Sequence, residues 1–520
     1  MKSYKFRFEH LIICLTVLYF VLFIFFSFYN LQNFILQIYD DHVYSGETKN
    51  FLTSGVFHWA GAKPGIILIA ALFGLSTPYK VIYLMTIFAF ISALGLFLLA
   101  KMIFKNSYLS LIPVILWMNS EFFFYYSKTH LLIFVAFYFL GVWICYKALQ
   151  NLEWWKYYLG CFLLGYSVLT YYVIIFYLPV IFIFLYYLFY KKGLSFFSYI
   201  LKTFIPFVLP IILLDFFVTF FYFFLGKKNW PFLYSVFGQY KYLSRAASNI
   251  NFSRIVYFPT LFCSTEFKFV TILICLGLIL FLISLFKNFR KNFFDSSFLL
   301  LLILLIPVAT ITLRFCLGSF TALRAFGSAL PILYILIGFF FYKIISKKYS
   351  TYILLLFVCY GFWNLIFIQP VLSKKYKTGY CELESFINKT DFKTVVYFGG
   401  FNSLEQILNN KTVIPMNIGS DCFMIFKDEL KKQAFFNSLK IKLGNLETIA
   451  LVLICDKKSL DFVISEISKD FKVNEIEKIA NNSSCELIQN EGKWGDIFLF
   501  NCCVEVSYIN IYELELKNGK

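Results

Sequence analysis

The chain has 520 residues, of which 60% are hydrophobic and only 15% are charged, and its mean hydropathy is +0.74. Because a soluble globular domain is about half apolar and about a quarter charged, this composition excludes that class and predicts an integral membrane protein. The formal net charge is +18, but residues 371–520 carry 19 Lys/Arg and 20 Asp/Glu, so the basic excess belongs to the first 370 residues. Membrane topology explains that distribution better than nucleic-acid binding, and we expect no nucleic-acid partner.

Apolar runs along the chain predict about eleven spanning helices, because about twenty uncharged residues cross the hydrocarbon core as a helix. The runs lie at 11–30, 66–100, 107–118, 131–146, 157–171, 173–190, 203–225, 269–286, 296–313, 325–342 and 351–368. The first lacks a small-residue cleavage site, so it predicts a retained helix rather than a signal peptide. The first part of the long run 66–100 could lie near the interface rather than span.

Basic residues alternate from loop to loop in a way that predicts orientation. If the N-terminus is cytoplasmic, the inside loops each contain two or three Lys or Arg, as the positive-inside rule requires. These loops are 1–10, 101–106, 147–156, 191–202, 287–295 and 343–350. Eleven spans then place the C-terminal residues outside, in a multi-pass protein of the cell inner (plasma) membrane.

The last 150 residues have a different pattern. Short β-branched runs at Thr394–Phe398 and Thr448–Cys455 alternate with helical patterns at Lys427–Lys440 and Leu460–Phe471. This predicts a small α/β domain. The predicted fold class is therefore an all-α polytopic membrane domain at 1–370, followed by a small extracytoplasmic α/β domain at 371–520.

Adjacent carboxylates begin the first outside segment, 31–64, at Asp40 and Asp41. A carboxylate at the membrane mouth can accept a proton from a hydroxyl nucleophile or hold a divalent metal against a phosphate. The alternative is a helix cap before Val43–Leu52, since Asp is a good N-cap. The spacing alone leaves both interpretations open.

Further ionisable candidates are scattered through the membrane part. Glu47 and Glu121 fall in outside segments, where either could act as a second acid or contact an acceptor. Asp215 lies within the run 203–225. An ionisable group at that depth is a functional candidate, although it could equally be a hydrogen-bonded packing residue.

Three cations are predicted at the outer interface. Lys63 precedes Pro64 at the end of the first outside segment, and Arg314 and Arg324 bracket a short outside turn. Arg offers planar bidentate donors to a phosphate and Lys a point charge. Each could instead be a snorkelling side chain on bulk lipid phosphate. Combined with the acidic pair, the three favour a lipid-phosphate site.

These features stand in a recognisable order. The stretch 40–55 resembles the first external loop of the GT-C superfamily of polyprenyl-phosphate-sugar-dependent glycosyltransferases, in its protein-mannosyltransferase and aminoarabinose-transferase branch. There the loop reads Asp-Glu-Ala-x-Tyr, followed by a helix ending in Leu-x-x-Gly. The stretch 58–65 resembles the branch's Lys-Pro-Pro-Leu entry to the second helix, 73–76 its Phe-Gly-Leu-Ser turn, and 322–331 its late Arg-Tyr-x-x-Pro segment.

The chain departs from that pattern at several positions. The second acid of the loop is Asp41 rather than Glu, Val43 stands where the aminoarabinose branch has Arg, and Gly65 replaces one Pro. The branch usually carries an acid just before the helix that follows the second outside loop, where this chain has His130. Glu121 lies nine residues earlier.

The resemblance implies an inverting glycosyltransferase that moves a sugar from a polyprenyl-phosphate donor to a lipid, glycan or protein acceptor outside the membrane. Asp40 would be the general base, Asp41 would support the loop or bind a cation, and Lys63 and Arg324 would neutralise the departing phosphate. No cofactor is certain; a divalent metal at the acidic pair stays open. The alternatives are a lipid-linked glycan transporter or polymer-export component, and a structural or sensory protein that displays its tail.

Overall fold

A computed structural model describes most of the chain. The described residues are 2–29, 31–34, 40–54, 63–224, 268–287, 295–316, 322–398, 407–408, 411–415, 429–444, 448–453, 457–480 and 508–516. Most of the predicted inside loop 287–295 lies outside them. The chain divides into two compact units. One comprises Met1–Tyr29, Glu47–Ser76 and Ile82–Pro370, and the other comprises Asn30–Gly46, Thr77–Val81 and Val371–Lys520.

The described residues up to residue 376 are helical apart from short connections. In chain order its helices are α1 (Lys2–Tyr29), α2 (Asp40–Ser54), α3 (Pro64–Leu72), α4 (Pro78–Phe104), α5 (Ser107–Met118), α6 (Glu121–Tyr126), α7 (Leu131–Asn151), α8 (Trp154–Thr170), α9 (Leu178–Lys191), α10 (Phe196–Phe224), α11 (Lys268–Lys287), α12 (Ser296–Cys316), α13 (Ala322–Ile344), α14 (Ser350–Trp363) and α15 (Gln369–Tyr376). Single turns at Leu31–Phe34, Tyr172–Phe176 and Lys347–Tyr349 are 3-10 helical, and Asn364–Ile368 is a π turn that joins α14 to α15.

Seven helices within the described ranges are long and apolar enough to cross a membrane. They are Glu9–Tyr29, Pro78–Phe104, Leu131–Asn151, Phe196–Leu214, Phe269–Lys287, Ser296–Leu313 and Lys347–Lys374. Ser107–Met118, Leu178–Lys191 and Ala329–Ile344 are shorter apolar helices. A polytopic membrane protein is therefore confirmed, whereas the count of eleven spans stays a prediction.

The long apolar run 66–100 is not one helix. It divides into α3 and α4 at a turn where Gly74 has a φ of 64°. Glycine adopts this left-handed conformation without steric cost because it has no Cβ. The break leaves α3 with 9 residues, too few to span a bilayer, as the length of the run suggested.

Small residues bring the helices of the first unit close together. A Cβ added to Gly165 of α8 would lie 1.8 Å from the carbonyl oxygen of Phe207 in α10. One added to Gly277 of α11 would lie 2.2 Å from the carbonyl oxygen of Leu336 in α13. Such backbone contacts are typical of helices in lipid, where packing rather than the hydrophobic effect drives association.

The second unit contains a mixed sheet. Its elements in the tail are α16 (Tyr380–Lys389), β1 (Thr394–Phe398), β2 (Thr412–Pro415), α17 (Glu429–Gly444), β3 (Ile449–Leu453), α18 (Lys457–Ile467), β4 (Phe471–Ala480) and β5 (Tyr508–Leu516). The strand order is β2-β1-β3-β5-β4. Strands β2, β1 and β3 are parallel to one another, and β5 is antiparallel to both of its neighbours, β3 and β4. Leu439, Leu451 and Val463 are fully buried in the core between α17, β3 and α18.

Two hydrogen-bonded links hold the short segments Asn30–Gly46 and Thr77–Val81 within this second unit. The backbone N–H and the hydroxyl of Thr378 donate to the carbonyl oxygen of Asn33 at 2.8 and 3.1 Å. The Tyr79 hydroxyl donates to the Glu384 carboxylate. The segment 30–46 therefore belongs with the tail, and α2 begins in one unit and continues into the other.

Candidate functional site

The acidic pair opens α2. Asp40 and Asp41 form the first turn of the helix, where carboxylates are favoured by the partial positive charge of a helix N-terminus. The placement of both side chains lies outside what the structure describes. Helical periodicity puts Glu47, half-buried, on the face of Asp40, and puts Asp41 on the face of the fully buried Thr48. The two acids therefore start on different faces of α2.

Lys63 stands immediately before α3. Its backbone is extended, with φ −76° and ψ 101°, and Pro64 occupies the first helical position. Proline is suited to that position because its fixed φ is helical and its missing N–H would have no partner in the helix. The Ile66 N–H donates to the Lys63 carbonyl oxygen at 3.0 Å. The Lys-Pro pair thus fixes where α3 begins. Lys63 is half-buried and directly precedes the first residue of the helix.

The start of α3 is held against the end of α8. The Tyr166 hydroxyl donates to the Gly65 carbonyl oxygen at 2.6 Å. A Cβ on Gly65 would lie 3.0 Å from the Leu169 Cβ. The glycine that replaces the expected proline therefore allows a close approach of the two helices.

Tyr171 joins two of the predicted site residues. The Lys63 ammonium nitrogen lies 5.1 Å from the centroid of the Tyr171 ring, within cation–π range. The imidazole of His130 meets the same ring edge-to-face, with centroids 5.2 Å apart. His130 is fully buried and Tyr171 is 2% exposed. Residues from three separate segments thus form one cluster, Lys63–Tyr171–His130.

A buried lysine lies two residues before this histidine. The Lys128 ammonium donates to the Phe124 carbonyl oxygen and stands 3.6 Å from the centroid of the Phe124 ring. Burial lowers the pKa of Lys128 to about 7, because removing an ammonium from water disfavours its charged form. Lys128 is therefore a cation whose charge changes near neutral pH.

Glu121 is the first residue of α6 and is half-buried. The hydroxyl of Ser120 caps that helix by accepting from the Phe123 N–H at 3.0 Å. A carboxylate in the first turn stabilises the helix N-terminus. This placement gives Glu121 a structural role, and its assignment as a second acid stays a prediction.

The two arginines lie at the facing ends of α12 and α13. Arg314 is in the last turn of α12 and Arg324 in the first turn of α13, and neither side chain is among those described. Gly327, one turn after Arg324, packs on the ring of Tyr126 in α6, where an added Cβ would lie 2.8 Å from a ring carbon. This contact brings the start of α13 to the α6–α7 loop, which carries Lys128 and His130.

No metal cluster is present among the described side chains, since no three His, Cys, Asp or Glu residues there could hold an ion together. A divalent cation at Asp40 and Asp41 stays a prediction, because those two side chains are not among the described ones. Asp215 falls within α10, and its side chain is likewise outside the described set.

Of the predicted site residues, the structure brings Lys63 and His130 together through Tyr171 and places the start of α13 beside the loop that contains His130. These residues belong to the first unit, whereas Asp40 and Asp41 belong to the second. Sequence reasoning missed Tyr171 and Lys128. The interruption between the apolar runs 157–171 and 173–190 was the only signal for Tyr171, and an isolated lysine in a predicted outside loop was the only signal for Lys128.

No protein-family model matches this chain, and no curated protein matches its sequence. Two crystal structures of ArnT from Cupriavidus metallidurans are similar to it. The apo structure aligns over 97% of this chain and 98% of ArnT, with a TM-score of 0.54 and 10% identity. The structure bound to undecaprenyl phosphate aligns over the same shares, with a TM-score of 0.57 and 10% identity. The fold of this chain is therefore that of ArnT, an aminoarabinose transferase of the GT-C type, along nearly its whole length.

Proposed function

We propose that this chain is a membrane glycosyltransferase that transfers a sugar from a polyprenyl-phosphate-linked donor to an acceptor on the extracytoplasmic side. The observation that carries the proposal is Lys63, held at the start of α3 in a chain whose fold matches that of ArnT, one of whose structures is bound to undecaprenyl phosphate. A half-buried ammonium attracts a phosphate more strongly than a solvated one because the local dielectric constant is lower.

In the proposed reaction the acceptor hydroxyl attacks the anomeric carbon of the donor from the side opposite the phosphate. Asp40 accepts the hydroxyl proton as the carbon–oxygen bond to the acceptor forms. The bond between the anomeric carbon and the phosphate oxygen breaks, and its electron pair leaves with the polyprenyl phosphate. Attack opposite the leaving group inverts the anomeric configuration.

The proposed role of Lys63 and Arg324 follows from where charge develops. A phosphodiester donor carries one negative charge and the departing phosphate monoester gains a second, so a cation beside it stabilises the transition state more than the ground state. A divalent cation at Asp40 and Asp41 is a separate proposal. Loss of transfer after EDTA treatment and its recovery with Mg²⁺ or Mn²⁺ would support that cation.

The test is turnover with a defined donor. Purified protein in lipid nanodiscs is incubated with a panel of radiolabelled polyprenyl-phosphate sugars and with total membrane lipid and glycan as acceptor. We expect release of polyprenyl phosphate from at least one donor, with the label recovered in acceptor. Asp40→Asn protein at equal amount is the matched control, and we expect its transfer rate to be at least about 100-fold lower.

A second assay separates transfer from transport. Donor lipid is placed in liposomes that contain the protein, and its movement between leaflets is followed. Translocation of the lipid without release of polyprenyl phosphate from any donor would contradict the proposal and favour a lipid-linked glycan transporter.

A further inference from the structure

Three segments that are far apart in sequence supply the Lys63–Tyr171–His130 cluster. Lys63 precedes α3, His130 precedes α7 and Tyr171 follows α8. The Tyr171 ring is the shared member, 5.1 Å from the Lys63 ammonium and 5.2 Å from the His130 ring. The Tyr171 ring is therefore in a position to orient Lys63, a side chain that the proposed reaction uses.

The ring of Tyr171 has a fixed position. The chain leaves the α8 helix at this residue, with φ −161° and ψ 131°, while its N–H still donates to the Ser167 carbonyl oxygen. On the core side the ring packs against Phe134, with centroids 6.1 Å apart. A side chain that is 2% exposed and bounded by two rings has little freedom to change rotamer.

The backbone of Lys63 is tied to the same structural element. Tyr166 and Leu169 of α8 hold Gly65, two residues after Lys63, through the hydrogen bond and the close contact described above. The distance from the Lys63 backbone to the Tyr171 ring is thus set by the packing of α3 on α8. The Lys63 side chain spans the rest of this distance, and a lysine stem has many rotamers from which a contact with the ring selects.

We propose that Tyr171 is a positioning residue of the donor-phosphate site, whose ring holds the Lys63 ammonium where it meets the donor phosphate. This inference rests on the proposed function. A cation on an aromatic face keeps its charge available to an anion on its other side, since the ring attracts it without neutralising it. Tyr171 orients the Lys63 ammonium before the donor binds. A charge that is already in place needs no rearrangement when the donor arrives, and this favours binding.

The experiment compares Tyr171→Leu with Tyr171→Phe in nanodiscs. The Leu variant loses the aromatic face, and we expect its donor KM to rise about threefold to thirtyfold, the range a cation–π contact gives. The Phe variant keeps the face, and we expect near-normal donor KM. Tyr138→Leu is the matched control, because Tyr138 is an equally buried tyrosine whose ring packs on Tyr177. It should lower thermal stability and leave donor KM unchanged.

A double-mutant cycle tests whether Tyr171 acts through Lys63. In a Lys63→Ala background, Tyr171→Leu should raise donor KM no further, since the side chain it positions is absent. Multiplicative effects of the two substitutions, or a Tyr171→Phe variant as impaired as Tyr171→Leu, would overturn the inference.

A readout without donor separates this inference from the proposed function. The rate at which an amine-reactive ester acylates Lys63, followed by peptide mass spectrometry, should rise in Tyr171→Leu and stay near wild type in Tyr171→Phe. If no donor turns over but the acylation rates differ in this way, the positioning contact holds and the proposed function fails. Equal acylation rates in all three proteins would overturn the contact itself.

Discussion

At the residue scale, the ring of Tyr171 contacts the ammonium of Lys63, and α3 begins directly after Lys63, at Pro64. The sequence marks Lys63 as a candidate because it closes the first outside segment just before an apolar run. Tyr171 could not be found this way, since one aromatic among 37 Tyr and 70 Phe carries no spacing signal. Its significance depends on a neighbour 108 positions earlier in the chain, which only the fold reveals.

Removing a cation from the proposed phosphate site should weaken use of the donor. We expect Lys63→Ala and Arg324→Ala each to lower kcat/KM for the donor about tenfold to a hundredfold, the effect of losing one charge-assisted contact. The measurement is initial-rate kinetics at varied donor concentration. Lys101→Ala in the last turn of α4 is the control. Unchanged donor kinetics in both variants would mean that these cations only anchor helix ends.

Asp40→Asn separates catalysis from helix stabilisation. The substitution keeps the size of the side chain but removes its proton-accepting charge, so we expect transfer to fall about 100-fold to 10,000-fold. Asp41→Asn should impair transfer less. Since α2 begins at Asp40, both acids lie in its first turn rather than before it. An effect on the helix dipole alone would therefore be small and similar for the two. Near-normal transfer by Asp40→Asn at wild-type expression would contradict the base assignment.

Lys128 predicts how stability depends on pH. Its pKa is about 7 in the folded protein against an ordinary 10.5, so between those values the unfolded chain binds a proton that the folded protein does not. Stability from this residue therefore rises with pH across that window and is constant below it. We expect Lys128→Met to flatten this dependence. The difference between the thermal unfolding midpoints of Lys128→Met and wild type should change by at least about 2 °C between pH 7 and pH 10.

Thermal unfolding in detergent at five pH values measures that midpoint. Lys105→Met is the control, because Lys105 is exposed and its ammonium keeps its hydration. A midpoint difference for Lys128→Met that is independent of pH would show that Lys128 keeps its charge throughout.

At the scale of elements, hydrophobic length predicted helices well and helix breaks poorly. Helix α7 begins at the first residue of the run 131–146 and β1 has the predicted bounds, whereas α1 begins at Lys2, within the predicted loop 1–10. In the sequence, the only sign of the turn at Gly74 was that the apolar run 66–100 is longer than one span needs. Strands β4 and β5 were missed, because charges interrupt the apolar residues of β4 and its pairing with β5 joins Phe471 to Leu516 across the tail. Pairing over such distances is a property of the folded sheet rather than of a local pattern.

The start of α13 offers a test of an element's position. Gly327→Ala would place a methyl group 2.8 Å from the Tyr126 ring, and relief of that overlap shifts the turn that carries Arg324. We expect donor KM to rise about threefold to tenfold, because a small misplacement of a binding group is costly. Gly338→Ala, with a comparable approach of 2.6 Å to the Phe104 ring, is the matched control about 16 Å along the same helix. Both should lose thermal stability, and equal donor KM values in the two variants would contradict the positional role of Gly327.

At the scale of the whole molecule, the loops that the sequence assigned to one side do meet. Lys192 of the loop 191–202 donates to the Gln150 carbonyl oxygen of the loop 147–156 at 2.9 Å. Lys202 stands 3.3 Å from the Trp154 ring. The Lys191 ammonium donates to the Ser296 hydroxyl at 3.5 Å, and the hydroxyl of the adjacent Ser297 donates to the Met102 carbonyl oxygen at 3.2 Å. These two bonds add the loop 101–106 to this end of the bundle.

Segments assigned to the other side meet as well. The cluster around Tyr171 joins the loops before α3 and α7 to the end of α8, and Gly327 adds the start of α13 through Tyr126. These contacts support the predicted alternation independently of its charge, because helices that alternate in direction must bring every second loop to the same end. The sequence alone could not show these contacts. The length of an apolar run predicts a span, but it does not say which loops contact each other.

The basic loops also predict which side of the membrane each end of the bundle faces. We expect loops that carry Lys105, Lys192 and Lys348 to face the cytoplasm, and the tail to face out, because basic loops are retained inside. Reporter fusions after these residues and after Lys520 measure it, using one enzyme active only outside and a fluorescent protein that folds inside. Fusions after Ser127 and Phe73 should give the opposite signal to the lysine loops. A tail reporter active only in the cytoplasm, with the other fusions as expected, would change the number of spans by one and place the tail opposite the proposed site.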